Sequence, residues 1–148
     1  AVFVDADFLF FDDIAKLLTE ARVGPAVHVV KHGPLDQRGL KMDAQLQQPY
    51  FRKNWSSFVL WNCGHPSNQR LTPYQVNRMT GQWLHAFSWL DDGEIGELPA
   101  RWNHLVGVDA PLERGKPAAA HFTLGIPSMA GHENQEFADD WRSVASRL

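Results

Sequence analysis

Several things are scarce in this 148-residue chain, and each scarcity closes a class of protein. Cysteine is almost absent, with Cys63 standing alone. A lone thiol closes no internal disulfide, so a small scaffold stapled by bridges is excluded, and a reducing, cytoplasmic setting is the default expectation. Long apolar runs are missing. Ala1–Val4 and Phe8–Phe11 are short stretches, far below the roughly 20 residues that span a bilayer. No secretory signal pattern is visible. An excess of positive charge is also missing: 14 Lys+Arg face 17 Asp+Glu, for a net charge of −3. The basic residues do not cluster, so the electrostatic footprint of a nucleic-acid binder is absent. Repeats, low-complexity tracts and a domain linker are lacking too, and residues 1–148 read as a single domain. What remains is ordinary globular composition, 44% hydrophobic and 21% charged, enough for one folded core.

The chain alternates strand and helix signals at first and becomes irregular later. Ala1–Asp5 is apolar and β-branched and reads as a strand buried on both faces in the middle of a sheet. Because such a strand opens the chain, further chain upstream is expected. Asp12 or Asp13 would cap a helix carrying Ile14, Leu17, Leu18 and Ala21 on one face, stopped by Gly24-Pro25. Ala26–Val30 and Ser56–Asn62 read as strands, and the polar stretch from Gly33 to about Lys53 reads as a covering loop with a short helix. Thr72-Pro73 starts a helix whose face would continue through Val76, Thr80, Trp83, Leu84 and Phe87. Asp91-Asp92-Gly93 is a turn. Trp102–Val108 and Ala119–Thr123 read as short strands, and a helical stripe of Phe137, Trp141, Val144, Ala145 and Leu148 closes the chain. The expected fold is α/β, a mixed sheet flanked by helices in three layers.

The sharpest chemical feature is Phe3-Val4-Asp5-Ala6-Asp7-Phe8. Two carboxylates stand one residue apart where an apolar strand runs out, and in open α/β sheets ligands bind at the carboxyl ends of strands. Carboxylates at i and i+2 of an extended backbone share a face. Like charges about 4 Å apart repel by roughly 4 kcal/mol at an effective dielectric of about 20. A divalent cation reverses that sign, and carboxylate oxygens suit hard ions such as Mg²⁺ or Mn²⁺, which hold substrate phosphates. The bland reading is that Asp5 and Asp7 cap a turn. By the local pattern the two readings stay open.

Asp5-Ala6-Asp7 after the apolar strand resembles the D-x-D motif of GT-A glycosyltransferases. Asn54–Asn62 (NWSSFVLWN) is similar to the segment along the sugar site of family 8-like transferases, the relatives of glycogenin and bacterial galactosyltransferases. Leu90–Asn103 (LDDGEIGELPARWN) resembles their acidic turn followed by "LP..WN", and His121-Phe122-Thr123-Leu124-Gly125 resembles their late His motif. The order of these motifs matches, and the resemblance covers most of the chain. It implies a partial GT-A domain, the metal- and acceptor-side portion without the nucleotide-binding half. It implies transfer of a hexosyl group from a nucleotide diphosphate sugar to a glycan, lipid or protein acceptor. Asp5, Asp7 and His121 would ligate Mn²⁺ or Mg²⁺. Asp91 and Asp92 would serve the sugar and acceptor as the catalytic pair, and Lys41, Ser57 and Asn62 would face the donor. The family's Lys after the late His-Gly is replaced here by Gly125-Ile126-Pro127-Ser128, so phosphate neutralisation would rest on the metal with Lys41 or Lys116; Arg52-Lys53 is a further basic candidate. Missing neighbour strands would leave an apolar sheet edge and favour self-association.

Two other classes compete. A haloacid-dehalogenase-like phosphohydrolase also opens with a strand and D-x-D, but Phe8 stands where Gly-Thr is usual. A non-catalytic carbohydrate- or protein-binding remnant is the other. Six tryptophans are expected mainly in the core, with Trp55 or Trp89 the choices for stacking on an acceptor sugar. His28 and His32 read as structural.

Overall fold

The structure is a computed structural model that describes residues 1–33, 51–147 and two short strands, 40–41 and 45–46. It is α/β, with mixed sheets and, among the described residues, four short α-helices. No helix among these residues is long and apolar enough to cross a membrane. The chain divides into two compact units. The first comprises Ala1–Asp5, Ala15–Arg38 and Gln48–Ala100; the second comprises Ala6–Ile14, Gly39–Gln47 and Arg101–Leu148.

The first unit is built on a four-stranded sheet of β1 (Val2–Val4), β3 (Val27–Val29), β6 (Phe58–Trp61) and β7 (Ile95–Glu97), in the order β1-β6-β3-β7. β1 and β3 each run antiparallel to β6, and β3 runs parallel to β7. The central strands are buried on both faces, as a covered sheet demands: β6 is apolar throughout, β3 carries valines on one face and the His28 imidazole on the other, and Val27, Val29, Phe58 and Val59 are almost completely buried. Val27, Val29 and Val59 form one core with Ala26, Phe87, Trp89, Leu90 and Ile95. β1 is an edge strand, not a central one: Phe3 is 50% exposed and Val2 41%, because only β6 pairs with it among the described residues.

The helix expected from Ile14 is a 3-10 turn, Ile14–Lys16, running into α1 (Leu17–Glu20). Leu17 alone of that stripe is buried, and Leu18 is 75% exposed. The long helix expected from Thr72 divides into α2 (Pro73–Arg78) and α3 (Gly81–His85). Thr72 and Gln75 form a reciprocal capping box, Gln75 N–H to Thr72 Oγ1 at 3.3 Å and Thr72 N–H to Gln75 Oε1 at 3.2 Å. The division falls at Met79–Thr80, where both residues are extended and Thr80 Oγ1 accepts from Trp83 N–H at 3.2 Å. A threonine that satisfies backbone donors locally competes with helix continuation.

The second unit holds β2 (Phe8–Phe10), β8 (His104–Leu105) and β9 (Ala119–His121) in the order β2-β9-β8. β2 is antiparallel and β8 parallel to the central β9. Leu9, Val106, Ala120 and Phe122 form its core, with Phe11, Ile126, Phe137 and Trp141 packed against it. α4 (Ala138–Ala145) closes the chain, and β4 (Leu40–Lys41) pairs antiparallel with β5 (Gln45–Leu46).

Candidate metal centre

The acidic pair occupies the three-residue connection from β1 to β2. Asp5 N–H donates to the Ser57 carbonyl at 2.9 Å, and the Asp7 carbonyl accepts from Phe122 N–H at 2.9 Å. The backbone is therefore held on each side of Ala6. In the second unit, register pairs Phe8 with His121, which delivers the imidazole to the start of β2. His121 Nε2 lies 3.4 Å from Asp7 Oδ1. Asp5 is joined to Asp7 by a single residue, and ligand atoms of Asp5, Asp7 and His121 all lie within 4.8 Å of one another. This is the set of residues singled out from the sequence.

The imidazole is fixed on two sides. Phe8 stacks on it with ring centroids 4.4 Å apart and planes 19° from parallel. Its Nδ1 lies 3.0 Å from Oδ1 of Asn103, which is completely buried. His121 is itself 2% exposed, whereas Asp5 and Asp7 reach solvent. Two carboxylates and one imidazole nitrogen make a donor set for a divalent cation. Oxygen ligands suit Mg²⁺ and Mn²⁺, and a nitrogen donor tilts the choice toward the transition ion. Around an ion bound at about 2.1 Å, cis ligand atoms stand about 3 Å apart and trans ones about 4.2 Å, so the three side chains would draw inward to share one ion.

Asp91, Asp92, Ser57 and Asn62, also expected at the site, lie in the first unit. Asp91 and Asp92 begin a 3-10 turn, Asp92–Glu94. Asp92 is paired with Arg52, whose guanidinium also donates to the Ala86 carbonyl at 2.7 Å. Arg52 and Lys53 are thus not a phosphate-facing basic pair: the Arg52 side chain is 7% exposed and committed to those partners, and Lys53 is buried. Asp91 N–H donates to Glu94 Oε2 at 3.0 Å. The Glu94 carboxyl is held below its ordinary value, first by the Ser67 hydroxyl, then by that backbone N–H and by the nearby Arg70 and His65. Ser57 is buried and its hydroxyl donates to the Asn54 carbonyl at 2.7 Å. Asn62 stands in the turn after β6, its amide 3.4 Å from the Pro25 carbonyl. The Lys41 side chain lies outside the described residues. Lys116, in the second unit, pairs with Asp140 at 2.5 Å.

Trp89 is not a surface platform. It is 8% exposed inside an aromatic cluster with Trp61, Trp83 and Phe87. Trp55 donates to the His32 carbonyl at 2.9 Å, with Lys31 over its ring. Asn103 ends the Leu90–Asn103 motif, which implies no role for it. Nothing local marks it: its partner is 18 residues away, and only the parallel pairing of β8 with β9 brings the two together.

The chain is similar to protein CDI of Arabidopsis thaliana, with 44% identity over 144 residues. That match covers 95% of this chain and 56% of the Arabidopsis protein, so the chain spans little more than half the length of that relative. No protein-family model matches the chain. No solved structure matches it either.

Proposed function

We propose that the chain is the metal- and acceptor-side portion of a nucleotide-sugar glycosyltransferase that moves a hexosyl group from a nucleoside diphosphate to a hydroxyl acceptor. The convergence of Asp5, Asp7 and His121, residues separated by more than a hundred positions, carries the reading. A turn-capping acidic pair has no need of a buried imidazole beside it. Bound there, Mn²⁺ or Mg²⁺ would neutralise the diphosphate as it leaves. The protein's own part is to hold and orient. Asp5 and Asp7 supply the negative charge that retains the ion, and His121 adds a neutral donor of fixed direction. In the first unit, Asp91 and Asp92 would accept hydrogen bonds from sugar or acceptor hydroxyls, with Arg52 holding the Asp92 carboxylate in place. Asn62 would face the donor. Positioning and fixed electrostatics of this kind can supply most of a group transfer's rate.

The test is thermal unfolding of the full chain with Mn²⁺ alone, with a nucleoside diphosphate alone and with both. Ligand at a hundred times its Kd raises stability by about 2.7 kcal/mol, or about 5–10 °C for a domain of this size. The expected result is a rise with Mn²⁺, a further rise with the diphosphate, and loss of both in Asp7→Asn. Absence of any rise with Mn²⁺, or an undiminished rise in Asp7→Asn, overturns the reading. Binding of an oligosaccharide without metal would favour a carbohydrate-binding module instead.

A further inference from the structure

Asn103 is completely buried, in a chain region where sequence reasoning assigned it nothing. Its Oδ1 faces His121 Nδ1 at 3.0 Å. An amide oxygen only accepts, so the hydrogen of the neutral imidazole belongs on Nδ1. Nε2 then carries a lone pair, and it is this atom that lies 3.4 Å from Asp7 Oδ1. A lone pair turned toward a carboxylate is an arrangement that a cation between them satisfies. Metal-ligating histidines commonly donate their second N–H to a carbonyl or carboxylate, which fixes both tautomer and ring direction. Phe8 prevents the ring from tilting on one face. An Asn103 oxygen against Nδ1 favours the tautomer with its hydrogen on that nitrogen.

We infer that Asn103 is the positioning residue of the metal centre: it holds His121 as the Nδ1–H tautomer so that Nε2 is presented to the ion shared with Asp5 and Asp7. The inference rests on the proposed metal reading and deepens it. The reverse amide orientation would place an NH₂ against Nδ1 and a hydrogen on Nε2. His121 would then donate to Asp7, and the pair would close as a hydrogen bond with no place for an ion.

The experiment uses the full chain labelled with ¹⁵N-histidine. The His121 signals are assigned by their loss in His121→Gln, and Mn²⁺ affinity is measured in parallel from the free-ion paramagnetic resonance signal. The wild type is expected to show the Nδ1–H tautomer and to bind Mn²⁺. Asn103→Leu, similar in volume, is expected to shift His121 toward Nε2–H and to weaken Mn²⁺ binding by about 10–100-fold. Asn103→Asp, which still accepts from Nδ1–H, is expected to retain both properties; should Asn103→Leu fail to fold, the wild-type tautomer and this variant still decide the matter. An Nε2–H tautomer in the wild type, or unchanged Mn²⁺ affinity in a folded Asn103→Leu, overturns the positioning role and leaves the metal reading standing. A wild type that binds no Mn²⁺ overturns both.

Discussion

Gly96→Ala is the substitution whose cost the structure specifies most directly. Gly96 lies in β7 opposite His28 of β3 in parallel register. A Cβ on Gly96 would stand 2.3 Å from His28 Cδ2, 2.7 Å from Nε2 and 3.0 Å from Cγ. Carbon atoms settle at about 3.5–4.0 Å, so the overlap with Cδ2 exceeds about 1 Å. The ring has little room to yield, because His28 is 4% exposed on a strand at the middle of the sheet. Even Cγ, near the root of the side chain, falls within the clash. Overpacking of this kind costs typically about 1–3 kcal/mol, which for a domain near this size lowers the melting temperature by about 2–12 °C. The assay is a thermal and urea unfolding cycle of wild type, Gly96→Ala, His28→Ala and the double variant. Removing the imidazole makes the room a methyl needs, so Gly96→Ala should cost little in the His28→Ala background, a coupling of about 1–3 kcal/mol. A Gly96→Ala protein within about 0.5 kcal/mol of wild type, or an equal cost in both backgrounds, would refute the packing argument.

Two further expectations concern the same unit. Burial holds the His28 imidazole below its ordinary value of 6.5, with the nearby Lys31 charge acting in the same direction and a hydrogen bond to the Arg22 backbone opposing both. The unfolded chain therefore binds the extra proton first: this contribution is fully present above pH 6.5 and is lost as pH falls from there toward the lower folded value. The slope is at most about 1.4 kcal/mol per pH unit, and His28→Gln should remove it from melting curves between pH 5 and 8; an identical slope in that variant would contradict the assignment. Thr72→Ala removes the acceptor for Gln75 N–H at the start of α2 and should cost about 1 kcal/mol in urea unfolding, whereas no loss would mean that α2 holds without its cap.

The strands that were legible in the sequence are those rich in buried apolar residues, β3 and β6 above all, through Val27, Val29, Phe58 and Val59. Thr72-Pro73 announced α2 through cap chemistry alone. β7 was not legible, since Ile95-Gly96-Glu97 offers one apolar residue and a glycine, which strands disfavour. It exists because β3 pairs with it and the His28 ring fills the space above Gly96. β2 was hidden because Phe8-Leu9-Phe10 shows no alternation, and its pairing with β9 depends on residues over a hundred positions away. The same non-local pairing conceals the centre: Asp5 and Asp7 announce themselves by spacing, His121 only through motif order, and Asn103 not at all. Propensity reads neighbours along the chain, and these contacts lie between strands.

Whether Asp7 is a structural partner of His121 or a ligand in waiting has a signature in stability. Two carboxylates with ligand atoms within 4.8 Å repel by about 3.5 kcal/mol at an effective dielectric of about 20, before solvent screening. They cannot drift far apart, because only Ala6 separates them along the chain. If the neutral imidazole presents a lone pair rather than a hydrogen, it offers Asp7 no relief. Without metal, Asp7→Asn should then melt at or above wild type, since it removes a like charge and can donate to Nε2. With saturating Mn²⁺ the order should invert, wild type rising by several degrees and the variant staying where it was. A structural hydrogen-bonded pair predicts the opposite: Asp7→Asn would be destabilised in both conditions, with curves that shift in parallel. Crossing curves support a cation grip, and parallel curves eliminate it.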